Sequence, residues 1–239
     1  EWSPNGRYVA FSNTTAEGMS LWVLDTRTAR AREVMEDGVN FIFQQPRWLP
    51  DGRLLVFTIP DDRGSRPVPP LTPKGPAIQD AKGGEEAQTR TYQDLLKDPY
   101  DEELYKWLSI SQPVIMDANG RNQKKVGTPR IYTSASPSPD GEYLLMEWIE
   151  QPFSYQVPYY RFPQVSDVWT MDGKPVANIS RQPLADNLPV QGVVTGRRSI
   201  NWHPTEDSLI LWAEALDGGD PRTKTDQRDK LMALGAPFT

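Results

Sequence analysis

Cysteine is absent from this 239-residue chain, and histidine occurs once. Without thiols there can be no disulfide and no thiolate metal site. One histidine with no cysteine leaves neither a Ser-His-Asp nor a Cys-His arrangement with convincing parts. Positive charge is also in deficit: 26 Lys and Arg stand against 32 Asp and Glu, a net charge of -6. Nucleic acids and anionic membranes select a basic field, so neither is an expected partner. No apolar run approaches the roughly 20 residues that cross a bilayer, so no membrane span is expected. There is no Gly-x-Ser-x-Gly elbow and no phosphate-binding glycine loop. Neither a cofactor nor a metal is expected. The chain opens on Glu1, with neither Met nor a signal-like apolar stretch, so a fragment or processed product is expected. It should be soluble, with no compartment legible.

What is present points to short strands. Prolines number 23, glycines 17 and tryptophans eight, a composition of many turns and many large aromatics. The segment "WSPNGRYVAFS" at Trp2 returns as "WLPDGRLLVFT" at Trp48. In each, Asn5-Gly6 or Asp51-Gly52 supplies a turn, because glycine accepts positive φ, and a β-prone apolar run follows. A third copy, "SPSPDGEYLLMEW", turns at Asp140-Gly141 and carries Pro137 where the others have tryptophan. A fourth, "NWHPTEDSLILWAE", keeps Trp202 and Pro204 but has lost the turn glycine. Each of the first three copies is followed by strand, Asp-led turn and strand, at Asp25, Asp117 and Asp172. Each unit is therefore a pair of hairpins.

The copies lie 46, 89 and 65 residues apart, from Trp2 through Trp48 and Pro137 to Trp202. A basic period near 45 residues with four strands per unit is the mark of a β-propeller blade. The expected fold is all-β: three to four blades, about 1–47, 48–135, 136–200 and 201–239, of a larger ring. A set of blades alone would leave an unpaired strand edge.

The longer spacings require insertions. With strands A to D antiparallel in each blade, the tight A–B turns lie at one end and the B–C loops and D–A links at the other. The insertion at 60–111, the loop at 150–166 and the link "RQPLADNLPVQGVVTGRRS" then share one face, the expected functional face. The first begins with a proline-rich tract, expected to be extended, and a polar "AKGGEEAQ", expected to be mobile. Two short helices are expected over about 90–109, capped by Thr91 and Asp98, with Pro99 in the first turn and Glu102 near the start. Leu104, Trp107 and Leu108 form the stripe that packs this insertion onto the blades.

Chemistry-bearing residues are sparse. His203 falls at a repeat position held elsewhere by Ser3 and Leu49, which marks it as a surface residue. Asp61-Asp62 and Asp101 to Glu103 read as solvated charge, and "LDGGDP" at Asp217 to Asp220 as a turn. The feature that stands out is basic. Arg161 sits in "SYQVPYYRFP" among Tyr155, Tyr159, Tyr160 and Phe162, while Arg197 and Arg198 close the long link. Guanidinium groups beside aromatics can hold a carboxylate; equally, they can cap carbonyls or pair with local acids. The candidate substrate-binding residues are Arg161, Arg197, Arg198 and Tyr155.

"TYQDLLKDPYDEELY", "PSPDGEYLLMEWIEQPFSYQVPYYRFP", "SDVWTMDG", "QPLADNLPV", and "RRSINW" through "LDGGDP" together resemble the propeller of the glutamyl endopeptidases, a branch of the prolyl oligopeptidase family of serine peptidases. The likeness runs from Trp2 to about Arg228. It implies a seven-bladed propeller followed by an α/β-hydrolase domain with a Ser-Asp-His triad, and cleavage of peptides after glutamate. That domain would be the partner of this chain, with a peptide as substrate. No position here matches a catalytic residue of the family. The contrasting expectation is a stand-alone propeller that scaffolds protein partners and needs no nucleophile.

Overall fold

The computed structural model describes residues 1–16, 18–71 and 92–239. The second half of the proline-rich tract, the polar run after it and Thr91 lie outside these residues. Among the described residues fourteen strands form four antiparallel sheets, and within each sheet the strands lie side by side in chain order. The first sheet holds β1 (Tyr8–Thr14), β2 (Met19–Asp25) and β3 (Arg30–Met35), with Trp2 bridged to Val9 ahead of them. The second holds β4 (Arg47–Trp48), β5 (Leu54–Thr58), β6 (Gln112–Met116) and β7 (Lys124–Lys125). The third holds β8 (Ile131–Pro137), β9 (Tyr143–Ile149), β10 (Gln164–Thr170) and β11 (Pro175–Gln182). The fourth holds β12 (Arg198–Trp202), β13 (Leu209–Ala215) and β14 (Asp229–Gly235).

Strand alternation decides how the sheets stack. Along β5, Leu54 and Val56 pack with Ala10, Leu21 and Val23 of the first sheet. The intervening Leu55 and Phe57 pack with Tyr132, Leu144, Met146 and Trp148 of the third. On β9 the parity repeats, since Leu145 turns away from that core and meets Ile200, Ile210 and Trp212 of the fourth. Successive side chains on a strand face opposite ways, so a strand buried on both faces reads as an unbroken apolar run. That explains "LLVF" and "LLM". Four layers, each sandwiched by its sequence neighbours, are the blades of a propeller.

The repeated turn now has a geometry. The carbonyls of Ser3, Leu49 and Ser138 each accept the N–H of the glycine three residues on, at 2.9 Å. Proline occupies the second turn position, where its fixed φ is already suitable. Gly6, Gly52 and Gly141 close the turns at φ 66°, 85° and 75°, a region costly for any residue with a Cβ. In the fourth copy His203 occupies the place of Ser138. Its backbone N–H donates to the Leu209 carbonyl at 2.7 Å, and its Nδ1 accepts the N–H of Glu206 at 3.0 Å. The lone histidine is a turn residue.

The insertion in the second sheet carries helix α1 (Pro99–Ser109). Asp98 caps it by accepting the N–H of Asp101 at 3.0 Å, and proline stands in the first turn. At the other end the Asn40 amide donates to the carbonyls of Leu108 and Ile110 at 2.8 and 3.0 Å, satisfying groups the helix leaves open. The earlier of the two expected helices is not formed over 92–97. Asp94 takes φ 57° and Asp98 is extended for capping, so no helical turn fits between them. The packing stripe also differs. Leu108 is 38% exposed, whereas Tyr105 points into the fold and meets Phe153 and Phe162 edge-on, at ring separations of 5.2 and 6.0 Å.

Candidate functional site

The insertions do gather. Ile131, Ile149, Val157 and Phe162 form a satellite core at the end of the third sheet. Phe43, Tyr92, Leu96, Tyr105, Phe153 and Leu184 pack onto it. These residues come from the link before the second sheet, the insertion, the β9–β10 loop and the link after the third sheet. Apolar side chains beneath long loops make a rigid floor of what would otherwise be separate excursions. The N-terminal turn of α1 is tied in as well, because Glu102 accepts from the Tyr155 hydroxyl at 2.9 Å and the Gln151 amide at 3.3 Å.

Beside this floor a cavity of about 220 Å³ opens between the third and fourth sheets. One wall is a polar row that crosses the third sheet in register, Glu147 opposite Ser166 and Ser166 opposite Ser180, with Ser134 opposite Glu147 continuing the row outside the cavity. The other walls are the short helical turn Tyr159–Arg161, the link after β11 and the start of β12. The Ala185 N–H donates to the Arg161 carbonyl at 2.9 Å and so joins loop to link. Gln182 donates to the Arg197 carbonyl at 3.0 Å and holds the end of the link against β11. A Cβ on Gly196 would lie 2.2 Å from the Gln182 amide nitrogen, so that clasp favours glycine.

Three of the four candidate residues meet here, with different duties. Arg197 lies over the Trp212 ring at 4.3 Å and donates to the Ile179 carbonyl at 2.9 Å, so its guanidinium is engaged in docking the fourth sheet on the third. Arg198 is paired with Asp229 at the start of β14, while its buried Nε has no partner among the described residues. Arg161 is half-buried, and its guanidinium has neither ion pair nor hydrogen bond among the described residues. Tyr155 does not line the cavity; its hydroxyl belongs to Glu102 on the helix.

The residue that sequence reasoning missed is Glu147. It lines the same cavity and accepts from the Ser166 hydroxyl at 3.0 Å. Burial lifts its carboxyl above the ordinary glutamate range, and hydrogen bonds from Ser166 and Ser134 pull it part of the way back. A single acid inside "YLLMEWI" was the available signal, since a charge in a strand covered on both faces needs a reason. Asp61 and Asp217 are accounted for locally. Asp61 pairs with Lys125 at 2.8 Å, which holds its carboxyl below the usual range. Asp217 accepts from the Gly219 N–H at 2.8 Å and from Arg228 at 3.0 Å, a braced turn. No metal-binding group of side chains occurs among the described residues. Nor is any helix among them long and apolar enough to cross a membrane.

No family model matches the chain. Two curated relatives do, each named "Probable glutamyl endopeptidase, chloroplastic". The rice (Oryza sativa subsp. japonica) protein is 38% identical over 239 residues, which is 95% of this chain and 25% of the relative. The Arabidopsis thaliana protein is 40% identical over 245 residues, 98% of this chain and 25% of the relative. The chain is homologous to the glutamyl endopeptidases. It spans about a quarter of the length of these relatives. Among solved structures, Pyrococcus horikoshii acylaminoacyl peptidase aligns with a TM-score of 0.47 and 17% identity, covering 98% of this chain and 30% of that one. The β-propeller domain of the Trilobed protease from Pyrococcus furiosus aligns at 0.45 and 13%, covering 98% and 52%. Glu147 and Arg161 both lie in the run 137–163 quoted above for the sequence resemblance.

Proposed function

We propose that this chain is the noncatalytic propeller segment of a serine peptidase that cleaves peptides after glutamate. An α/β-hydrolase domain encoded outside the segment supplies the nucleophile. The insertion-bearing end of the blades faces that domain, restricts entry to peptides, and receives the acidic side chain of the substrate at the cavity between the third and fourth sheets. Identity of 38–40% to glutamyl endopeptidases over nearly the whole chain carries the reading. Within the cavity the role falls to Arg161, because Arg197 is committed to Trp212 and Ile179 and Arg198 to Asp229. A guanidinium in a partly dry wall holds a carboxylate through paired, charge-assisted hydrogen bonds.

The test is steady-state kinetics of the full-length protein on matched peptides with glutamate or glutamine before the cleaved bond. Arg161→Ala is expected to lower kcat/KM for the glutamate peptide by about 10- to 100-fold, the equivalent of one charged hydrogen bond, and to spare the glutamine peptide. Equal losses on both peptides, or none on either, would remove Arg161 from the specificity role.

A further inference from the structure

The cavity holds a carboxylate that no cation answers. Glu147 shares its walls with Arg161, Arg197 and Arg198, yet among the described residues it forms an ion pair with none of them. Its partners are two serine hydroxyls. Elsewhere in the lining, the Arg161 guanidinium and the buried Nε of Arg198 lack acceptors among the described residues. Unanswered positive and negative groups in one small cavity are expensive to desolvate, and the arrangement favours an occupant that brings the opposite charges in the opposite order.

We propose that this cavity binds a zwitterion, an acidic α-amino acid whose ammonium rests on Glu147 and whose carboxylate is held by Arg161. The size agrees. A cavity of about 220 Å³ suits a single amino-acid residue, free or at the end of a peptide. The polar row adds acceptors beside Glu147, since the Ser166 and Ser180 oxygens can each take a further hydrogen bond from an ammonium, which has three donors to place. The inference shares Arg161 with the acid-recognition reading above and adds to it a requirement for a free amine. The amine has two sources, a free amino acid or the first residue of a peptide.

Calorimetric titration of the full-length protein separates these ideas. The probes are L-glutamate, N-acetyl-L-glutamate, glutarate, and a short amidated peptide beginning with glutamate. L-Glutamate is expected to bind at least about tenfold more tightly than N-acetyl-L-glutamate or glutarate. Glu147→Gln should erase that preference while leaving the affinity for N-acetyl-L-glutamate as it was, and Arg161→Ala should weaken all of them. Tight binding of the peptide alongside L-glutamate assigns the site to peptide N-termini, and its exclusion assigns the site to free amino acids; either carries the proposal. Equal affinity for L-glutamate and its acetylated or deaminated counterparts overturns it, as does a preference that survives Glu147→Gln or the absence of any binding. If glutarate binds and Arg161→Ala abolishes that binding while the amine makes no difference, the acid-recognition reading stands and this inference alone falls.

Discussion

Trp202 donates its indole N–H to the carbonyl of Ser136 at 2.9 Å, across the boundary between the fourth sheet and the third. Trp48 makes the corresponding bond from the second sheet to the first, reaching the Glu1 carbonyl at 3.1 Å. The acceptors are equivalent, for each directly precedes the repeat position of its own unit, Trp2 or Pro137. The recurring tryptophan is thus a clasp between neighbouring blades, and the glycine turn beside it aims the next strand. Where the third copy has Pro137 no indole is available. The second and third sheets meet instead through apolar packing, in which Phe57 of the second lies 5.8 Å from the Tyr132 ring of the third, itself backed by Trp148 and Trp169.

Removing only the indole N–H therefore has a defined cost. Trp202→Phe and Trp48→Phe, measured by thermal unfolding, are each expected to lose about 1 kcal/mol for the hydrogen bond, with some further loss of ring packing. A shift of about 2–4 °C in Tm per kcal/mol follows for a domain of this size. An unchanged Tm in both would show that the clasp contributes nothing.

Gly127 tests the aromatic junction from another side. It sits at φ 65°, and a Cβ there would lie 2.2 Å from the Trp169 ring. Gly127→Ala must pay both for the left-handed backbone, about 1–2 kcal/mol, and for overpacking, about 1–3 kcal/mol. Gly6 offers the control, with φ 66° and nothing within 4 Å of its would-be Cβ. Gly6→Ala should cost the backbone share alone. Equal destabilisation of the two would mean that Trp169 yields freely.

These contrasts also mark what the sequence made legible. Turns at Asn5-Gly6, Asp51-Gly52 and Asp140-Gly141 could be read because φ and residue type are coupled locally. The shared face of the insertions could be read because antiparallel strands reverse at each turn, so parity alone places loops at one end or the other. The duty of Arg197 could not. Its ring partner Trp212 and its acceptor Ile179 lie 15 and 18 residues away, and the three meet only when one sheet docks on the next. Helix α1 shows the same limit: spacing reveals an apolar stripe, but the position of the satellite core selects Tyr105 over Leu108. Glu147 was hidden differently, since a lone acid in a strand looks like an error until its serine neighbours are in register.

Glu147 gives the fold a pH dependence with a definite sign. Burial raises its carboxyl above the ordinary value of 4.5, so the folded state binds this proton more tightly than the unfolded chain does. The group favours folding most below the unfolded value and loses that contribution as pH rises through the folded one. Glu147→Gln, which never ionises, is expected to be more thermostable than the parent at pH 7. The difference should shrink towards zero as pH falls below about 4.5. A variant less stable at pH 7 would show that the ionised carboxylate is supported by more than its two serines.

Arg161 and Arg197 line one cavity, and the geometry predicts opposite phenotypes for them. Arg197→Ala removes a guanidinium stacked on Trp212, about 0.5–2 kcal/mol, together with its bond to the Ile179 carbonyl. Its stability should fall by roughly 1–3 kcal/mol while the ratio of kcat/KM between glutamate and glutamine peptides stays constant. Arg197→Lys should restore little, because an ammonium cannot reproduce the flat stacking of the guanidinium. Arg161→Ala removes no hydrogen bond or ion pair of the guanidinium among the described residues, so its stability should stay within about 0.5 kcal/mol of the parent. Its substrate ratio should shift instead. Should Arg161→Ala destabilise the fold as much as Arg197→Ala, Arg161 is bracing the loop, and the cavity has no free guanidinium to offer a carboxylate.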